Sequence, residues 1–350
     1  MNPKISVLIP MYNRKHYIAQ CLDSALNQTF KEEYEIIVRD DASTDGGYEF
    51  VQEKYSQQIS EGKIKLRLNI KNLDEFPTEN ILIREAAGKY ITFLHSDDMY
   101  LPNALQHLYE VAEETNADVV HSSFLLRSSK TGIIQNLEDL KVVCGEKNFF
   151  DKITIMPNNS LDRFNEWLNT GTFIDVQYNI FRRAFIVENE IFFDSPDNRY
   201  FSLWWIMLAK VFVKTPTVFY VYRDSPVSQT NKDFTPEKLE KFIATQIEMV
   251  RNMDKRFAKI DFFKNNEYFQ YIAKAHLIYS LDIWEFIRRK IYSNGITPEL
   301  YQAAVNAFKK IFGEDYFYPM FLFNYAHVTP YNKRVDTINF NDNTPQIWSR

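Results

Sequence analysis

Short apolar runs alternate with polar clusters through the first third of the chain. Ile5 to Ile9 is mostly β-branched and stops at Pro10, which predicts a buried strand. Apolar positions 18, 21, 22, 25 and 26 fall at helical spacing, so 17–26 reads as a helix. Glu35 to Val38 predicts a second strand, and Lys63 to Leu68 a third. Asn80 to Ala87 reads as a helix with Gly88 as its stop, and Lys89 to Leu94 as a fourth strand. A helix follows Pro102, and Asp118 to His121 opens another strand. Strand and helix at such short intervals predict an α/β domain built on a mostly parallel sheet.

In such sheets, ligands bind outside the carboxyl ends of the strands. Three polar clusters sit at predicted strand ends: Pro10 to Arg14, Asp40 to Asp45, and His95 to Asp98. A parallel sheet would bring them to one edge.

After Ser228 the character changes. Thr235-Pro236-Glu237 and Thr297-Pro298-Glu299 are helix starts, with Thr as cap and Pro at the first position. Tyr271 to Arg289 is an amphipathic stretch between them, and residues 333–350 are a polar tail. The expected division is therefore 1–230 and a helical appendage, 231–350. No chemical motif marks the appendage; oligomerisation through 231–330, acceptor contact and membrane docking are its candidate jobs. Arg288-Arg289-Lys290 beside an apolar face could suit an anionic lipid surface, but a solvated basic helix end is the preferred reading, because cations suit helix C-termini.

Composition narrows the classes. The chain has 350 residues, of which 45% are hydrophobic and 25% charged, so it can build a large core. A net charge of −5 lacks the basic footprint of a nucleic-acid binder. Two cysteines cannot form a disulfide framework, which fits reduced thiols in the cytoplasm. No apolar run approaches the ~18 residues of a membrane span. A cytoplasmic protein is expected, at most peripheral on the membrane's inner face.

Asp97 and Asp98 are adjacent carboxylates after a buried strand, and would repel unless something positive offsets them. A hard divalent cation such as Mn²⁺ or Mg²⁺ would do so, completed by a diphosphate. The competing reading is a helix cap before Pro102. Asp40 and Asp41 divide the same way, between hydrogen bonds to a base or ribose and bonds to their own backbone. There is no dinucleotide-binding or P-loop glycine pattern, and no H-E-x-x-H or C-x-x-C. The six histidines show no metal-ligand spacing; His95 stands out only because it precedes the acidic pair.

Four stretches in order and spacing together resemble a known family: 6–14 (SVLIPMYNR), 22–30 (LDSALNQTF), 35–46 (EIIVRDDASTDG) and 87–98 (AGKYITFLHSDD), with Leu101-Pro102 after the last. The chain resembles the inverting glycosyltransferases of the GT-A fold, family 2 type. The resemblance is clear over residues 4–125 and weaker to about 230, through Phe181-Arg182-Arg183 and Tyr222-Arg223 with Ser228. It implies a Rossmann-like, mostly parallel sheet flanked by helices, with a nucleotide-diphosphate-sugar donor, UDP-linked, and a glycan or lipid-linked acceptor. Carried over by motif, Pro10, Tyr12 and Arg14 line the nucleotide pocket. Asp41 takes the base N–H, Asn80 matches a family asparagine, Asp97 faces the ribose or sugar, and Asp98 holds the metal. Surface-polysaccharide or glycan assembly is the implied setting.

Two departures accompany the resemblance. His95 stands where the family usually has an aspartate. No Glu-Asp pair supplies the general base that an inverting transfer needs; Asp197 is the first candidate and Asp194 the second, and a turn with a cap at Pro196 is the alternative. A catalytically silent sugar-nucleotide or glycan-binding relative is therefore the second hypothesis. A nucleotidyltransferase would show a Gly-rich basic phosphate loop, which Pro10 to Arg14 does not resemble. Trp167, Trp204 and Trp205 are candidates to stack on a sugar or to fill the core.

Overall fold

The computed structural model describes residues 2–128, 134, 140–144, 151–169, 176–193, 198–223, 235–251, 260–261 and 297–313. The chain divides into two compact units, residues 1–228 and 229–350.

The first unit opens with β1 (Ile5–Met11), α1 (Ile18–Leu26), β2 (Tyr34–Asp40), α2 (Gly47–Lys54), α3 (Ser56–Ser60), β3 (Ile64–Leu68), α4 (Glu75–Glu85) and β4 (Tyr90–Phe93). There follow β5 (Met99–Tyr100), α5 (Ala104–Glu114), β6 (Val119–Ser122), β7 (Phe124–Ser128), β8 (Lys141–Cys144), β9 (Thr154–Ile155) and α6 (Ser160–Asn169). The unit continues with β10 (Asn179–Arg182), α7 (Arg183–Glu188), α8 (Asn198–Leu208), β11 (Phe212–Thr215) and β12 (Tyr220–Arg223).

Two expected boundaries move. β1 runs through Pro10 instead of ending before it. β4 pairs only with Ile5–Leu8, so the missing N–H of Pro10 faces no second neighbour in the sheet. α4 begins at Glu75, five residues before the expected start. Pro77 lies in its first turn, where no intrahelical N–H bond is lost.

Among the described residues, an eight-stranded sheet runs in the order β3-β2-β1-β4-β10-β6-β11-β9. β3, β2, β1 and β4 are mutually parallel, and so are β6 and β11. β10 enters antiparallel between β4 and β6, so the sheet is parallel in its first half and mixed beyond. A second sheet, β5-β12-β7-β8, is joined to β4 by the short acidic loop. Strands β1 and β2 are buried along nearly their whole length, as a sheet covered on both faces requires. α1 packs Ile18, Cys21, Leu22 and Ala25 into that core, the stripe its spacing predicts.

Gly88 marks where α4 returns to the sheet. A Cβ there would lie 2.6 Å from the Ser6 nitrogen and 2.7 Å from the Tyr90 carbonyl, so only glycine fits. Trp167, Trp204 and Trp205 are buried in the core. Trp205 packs edge-on against Phe181 and Phe212.

In the second unit, α9 (Pro236–Arg251) and α10 (Pro298–Phe312) pack against each other. α10 starts as its sequence predicts: Thr297 Oγ1 accepts from the Leu300 N–H at 3.2 Å. Tyr271–Arg289, the basic run 288–290 and the tail 333–350 lie outside the described residues.

Candidate active site

Parallel pairing carries the carboxyl ends of β1, β2, β3 and β4 to one edge, and the loops there are laced together. The Asp41 N–H donates to the Met11 carbonyl at 2.8 Å, and the Asn69 N–H to the Asp40 carbonyl at 2.8 Å. The Asn13 N–H donates to Ser43 Oγ (2.8 Å), while Asn13 Oδ1 accepts from the Thr44 N–H (2.8 Å). Asp45 Oδ2 accepts from the Lys15 N–H at 2.9 Å. Asn13 and Ala42 take left-handed backbone (φ 53° and 59°), which turns both loops toward each other.

The first cluster bonds the second through Asn13 and Lys15, and the third through Arg14. Arg14 Nε lies 3.0 Å from Asp97 Oδ2, pairing the β1 loop with the β4 loop. Pro10 lies within β1 beside Arg39 of β2, and Tyr12, 36% exposed, sits at the rim. Asp41 is buried, with Oδ1 accepting from Asn69 Nδ2 (2.7 Å) and the Leu73 N–H (2.8 Å). Asp40 is also buried and caps its own turn, accepting from the Ser43 N–H at 2.7 Å. Burial pushes its carboxyl up, reinforced by Asp45 and Asp41 and opposed by Ser43.

Asp98 is 2% exposed and is tied to β12. Its Oδ2 accepts from the Tyr220 hydroxyl at 2.6 Å, and its Oδ1 from the Arg223 N–H at 2.8 Å. Burial and the neighbouring Asp97 charge push its carboxyl up to about 7, against the pull of His95 and these two hydrogen bonds. Arg223 closes the floor: its Nε donates to the Asp97 carbonyl at 2.6 Å and its Nη2 to Gln20 Oε1 at 2.8 Å. Burial lowers its guanidinium, with Asp98 and Asp97 acting against that.

These groups suit a hard divalent cation. They are oxygen donors, and a carboxyl pushed up to about 7 marks a place short of positive charge. Each Asp98 oxygen carries one hydrogen bond and keeps a lone pair, and Asp97 Oδ1 takes no hydrogen bond among the described residues.

A second cluster lies beside the first. His95 Nε2 stands 3.5 Å from Glu79 Oε1 and 3.7 Å from Glu75 Oε1, and the three ligand atoms would fit around one ion. Burial disfavours the imidazolium, yet Glu79, Glu75 and Asp98 override it and raise His95 to about 10. With its proton, His95 sets one positive charge against the two glutamates, so the cluster keeps an excess of negative charge.

Asn80 makes no hydrogen bond to the nucleotide-edge group among the described residues. Its amide is taken up by both backbone groups of Phe193, at 2.6 and 2.8 Å. Asp194 and Asp197 lie outside the described residues.

Sequence reasoning did not single out Asn69, Glu79 or Tyr220. Asn69 follows a predicted strand and so lay at the right edge, but carried no motif. Glu79 lies just before the expected helix 80–87 and carried no motif, and Tyr220 becomes visible only through strand pairing.

The sequence model described as "Glycosyl transferase family 2" matches residues 6–189, just over half of the chain. A poly(ribitol-phosphate) beta-glucosyltransferase of Bacillus spizizenii is 37% identical over 117 residues, covering 33% of this chain and 18% of that protein. A GalNAc(5)-diNAcBac-PP-undecaprenol beta-1,3-glucosyltransferase of Campylobacter jejuni is 38% identical over 119 residues, 33% of this chain and 37% of that one. The matched region thus spans well under half the length of these curated relatives. Among solved structures, S. aureus TarS 1–349 in complex with UDP-GlcNAc superposes with a TM-score of 0.55 at 17% identity, covering 87% of this chain and 81% of that one. The same protein with UDP gives 0.54 at 19% identity, covering 87% and 79%. The fold is therefore that of the GT-A enzymes, and the chain belongs to glycosyl transferase family 2.

Proposed function

We propose that this chain is a metal-dependent, inverting glycosyltransferase. It moves a sugar from a UDP-linked donor to an acceptor hydroxyl in the assembly of a bacterial surface polysaccharide or related glycan. The observation that carries this reading is the meeting of Arg14, Asp41, Asp97 and Asp98 at the carboxyl edge of one parallel sheet. The relatives named above support it: two are glucosyltransferases, one with a ribitol-phosphate polymer and one with a lipid-linked glycan in its name. TarS, of the same fold, is seen with UDP and with UDP-GlcNAc.

In this reading Asp41 accepts the ring N–H of the base, beside Pro10 and Tyr12. Asp97 faces the ribose or sugar, steadied by Arg14. Asp98 holds Mn²⁺ or Mg²⁺, with Asp97 beside it. When bound, the ion would supply positive charge toward the departing diphosphate. Arg14 lies close enough to Asp97 to add a second positive group. Asp197, or failing it Asp194, takes the proton from the acceptor hydroxyl.

Calorimetric titration of the purified chain with UDP, dTDP, GDP and CDP, with and without Mn²⁺, tests the donor site. Metal-dependent binding of UDP, lost in Asp98→Ala, is expected. Absence of nucleotide binding with every metal tried would overturn the reading. The missing Glu-Asp pair motivates the second reading, a catalytically silent donor-binding relative. Slow donor hydrolysis that Asp197→Asn abolishes would exclude it; donor binding without turnover would support it.

A further inference from the structure

A buried arginine lies behind the base-binding carboxylate. Arg39 is the penultimate residue of β2 and is buried. Its Nη2 pairs with Glu85 at the end of α4, and its Nη1 donates to Asn69 Oδ1 at 2.7 Å. Asn69 in turn donates from Nδ2 to Asp41 Oδ1 at 2.7 Å and to Thr78 Oγ1 at 3.1 Å. A guanidinium is only ever a donor, so it fixes which end of the Asn69 amide faces it. The amide oxygen must turn to Arg39, and the amide N–H₂ must turn to Asp41.

Asp41 is held at three further points. Its N–H donates to Met11, its carbonyl accepts from Asn72 Nδ2 at 3.3 Å, and its Oδ1 also accepts from the Leu73 N–H. No hydrogen bond reaches Oδ2 among the described residues. One oxygen of Asp41 is thus anchored by donors, and the other remains as an acceptor.

We propose that Arg39, acting through Asn69, is a positioning residue that presets Asp41 to select a base carrying a ring N–H. This rests on the donor site proposed above and deepens it. Uracil and thymine present N3–H to such an acceptor. Cytosine presents a bare N3, which would set lone pair against lone pair. A buried polar group left unpaired by the wrong ligand discriminates strongly. Without Arg39 the Asn69 amide oxygen loses the donor that fixes it, the amide is no longer pinned, and its hold on Asp41 Oδ1 loosens.

The test is calorimetric titration of the full chain with UDP and with CDP, in Mn²⁺, for the wild type, Arg39→Met, Arg39→Lys and Asn69→Ser. The wild type is expected to favour UDP. Arg39→Met should weaken UDP roughly tenfold and leave CDP unchanged, so that the UDP-to-CDP ratio falls. Arg39→Lys keeps a donor toward Asn69 and should keep most of the ratio. A merely structural arginine would weaken both nucleotides together. An unchanged ratio in folded Arg39→Met and Asn69→Ser would overturn the proposal, as would equal binding of UDP and CDP by the wild type; both leave the donor site standing. If the wild type binds neither nucleotide, the donor site itself is overturned, and this proposal with it. Should Arg39→Met fail to fold, Asn69→Ser and Glu85→Gln carry the same comparison.

Discussion

Asn80 grips Phe193 by both of its backbone groups: Nδ2 donates to the Phe193 carbonyl at 2.6 Å, and Oδ1 accepts from the Phe193 N–H at 2.8 Å. The Phe193 ring lies flat on Phe201, with centroids 4.1 Å apart and planes 6° apart. In sequence, Phe193 and Phe201 flank residues 194–200, and Asn80 fastens the first of these aromatics. Asp194 and Asp197, the candidate bases, fall in that stretch of sequence.

In the proposed reading Asp197 or Asp194 is the base, so Asn80→Ala, which frees the residue just before them, should lower kcat at least tenfold while leaving the donor KM within about twofold. Stability should fall by about 1–2 kcal/mol for the two bonds. Steady-state kinetics with a thermal melt checks both. An unchanged kcat would separate Asn80 from the base.

Gly88→Ala should destabilise the first unit by roughly 2–3 kcal/mol, since the added methyl meets backbone of Ser6 and Tyr90 that cannot yield without parting β1 from β4. Denaturant unfolding measures it.

Asp98→Asn should separate stability from function. Burial and Asp97 disfavour the Asp98 charge, so at pH 8 without metal the neutral amide should raise the melting temperature. The same variant should lose Mn²⁺-dependent nucleotide binding. Paired melts and titrations would show whether the two effects part.

His95 links stability to pH. Its folded value of about 10 lies above the ordinary 6.5, so the folded state holds the proton more tightly. The stabilisation is complete below about pH 6.5 and is lost as pH rises through about 10. Asp98, raised from 3.8 to about 7, acts with the same sign at lower pH. Melting temperature should fall between pH 6.5 and 10 in the wild type and fall less in His95→Asn.

Lys214 and Glu166 form an ion pair that is buried on both sides, joining β11 to α6. Glu166→Leu alone should cost on the order of 3–5 kcal/mol, because it takes the carboxylate away from a buried ammonium. Glu166→Leu with Lys214→Met should recover most of that loss. A double-mutant cycle in denaturant decides it.

Much of the fold was legible because its signals are local. The runs 5–9 and 35–38 fall within β1 and β2, the run 89–94 spans β4, and the stripe 18, 21, 22, 25 and 26 marks α1. The boundaries that moved depended on neighbours. Pro10 stays in β1 only because β4 stops short of it, and Pro77 is tolerated because the helix starts early. The antiparallel entry of β10 leaves no trace in its own four residues.

The sequence by itself determined which polar clusters end strands, since strand ends follow from hydrophobic period and breakers, and this put Pro10 to Arg14, Asp40 to Asp45 and His95 to Asp98 on one edge. It also determined the family, through four motifs in order. Only the tertiary structure decided what each side chain does there. Asp98 is held by Tyr220 and Arg223, more than 120 residues away, and its raised pKa is a property of that burial. His95 keeps its proton because α4 brings two glutamates beside it, and Asp41 is aimed by an arginine two residues before it working through a third strand's asparagine. Charge, burial and hydrogen-bond direction are set by what surrounds a group in space, and no local pattern along the chain encodes those surroundings.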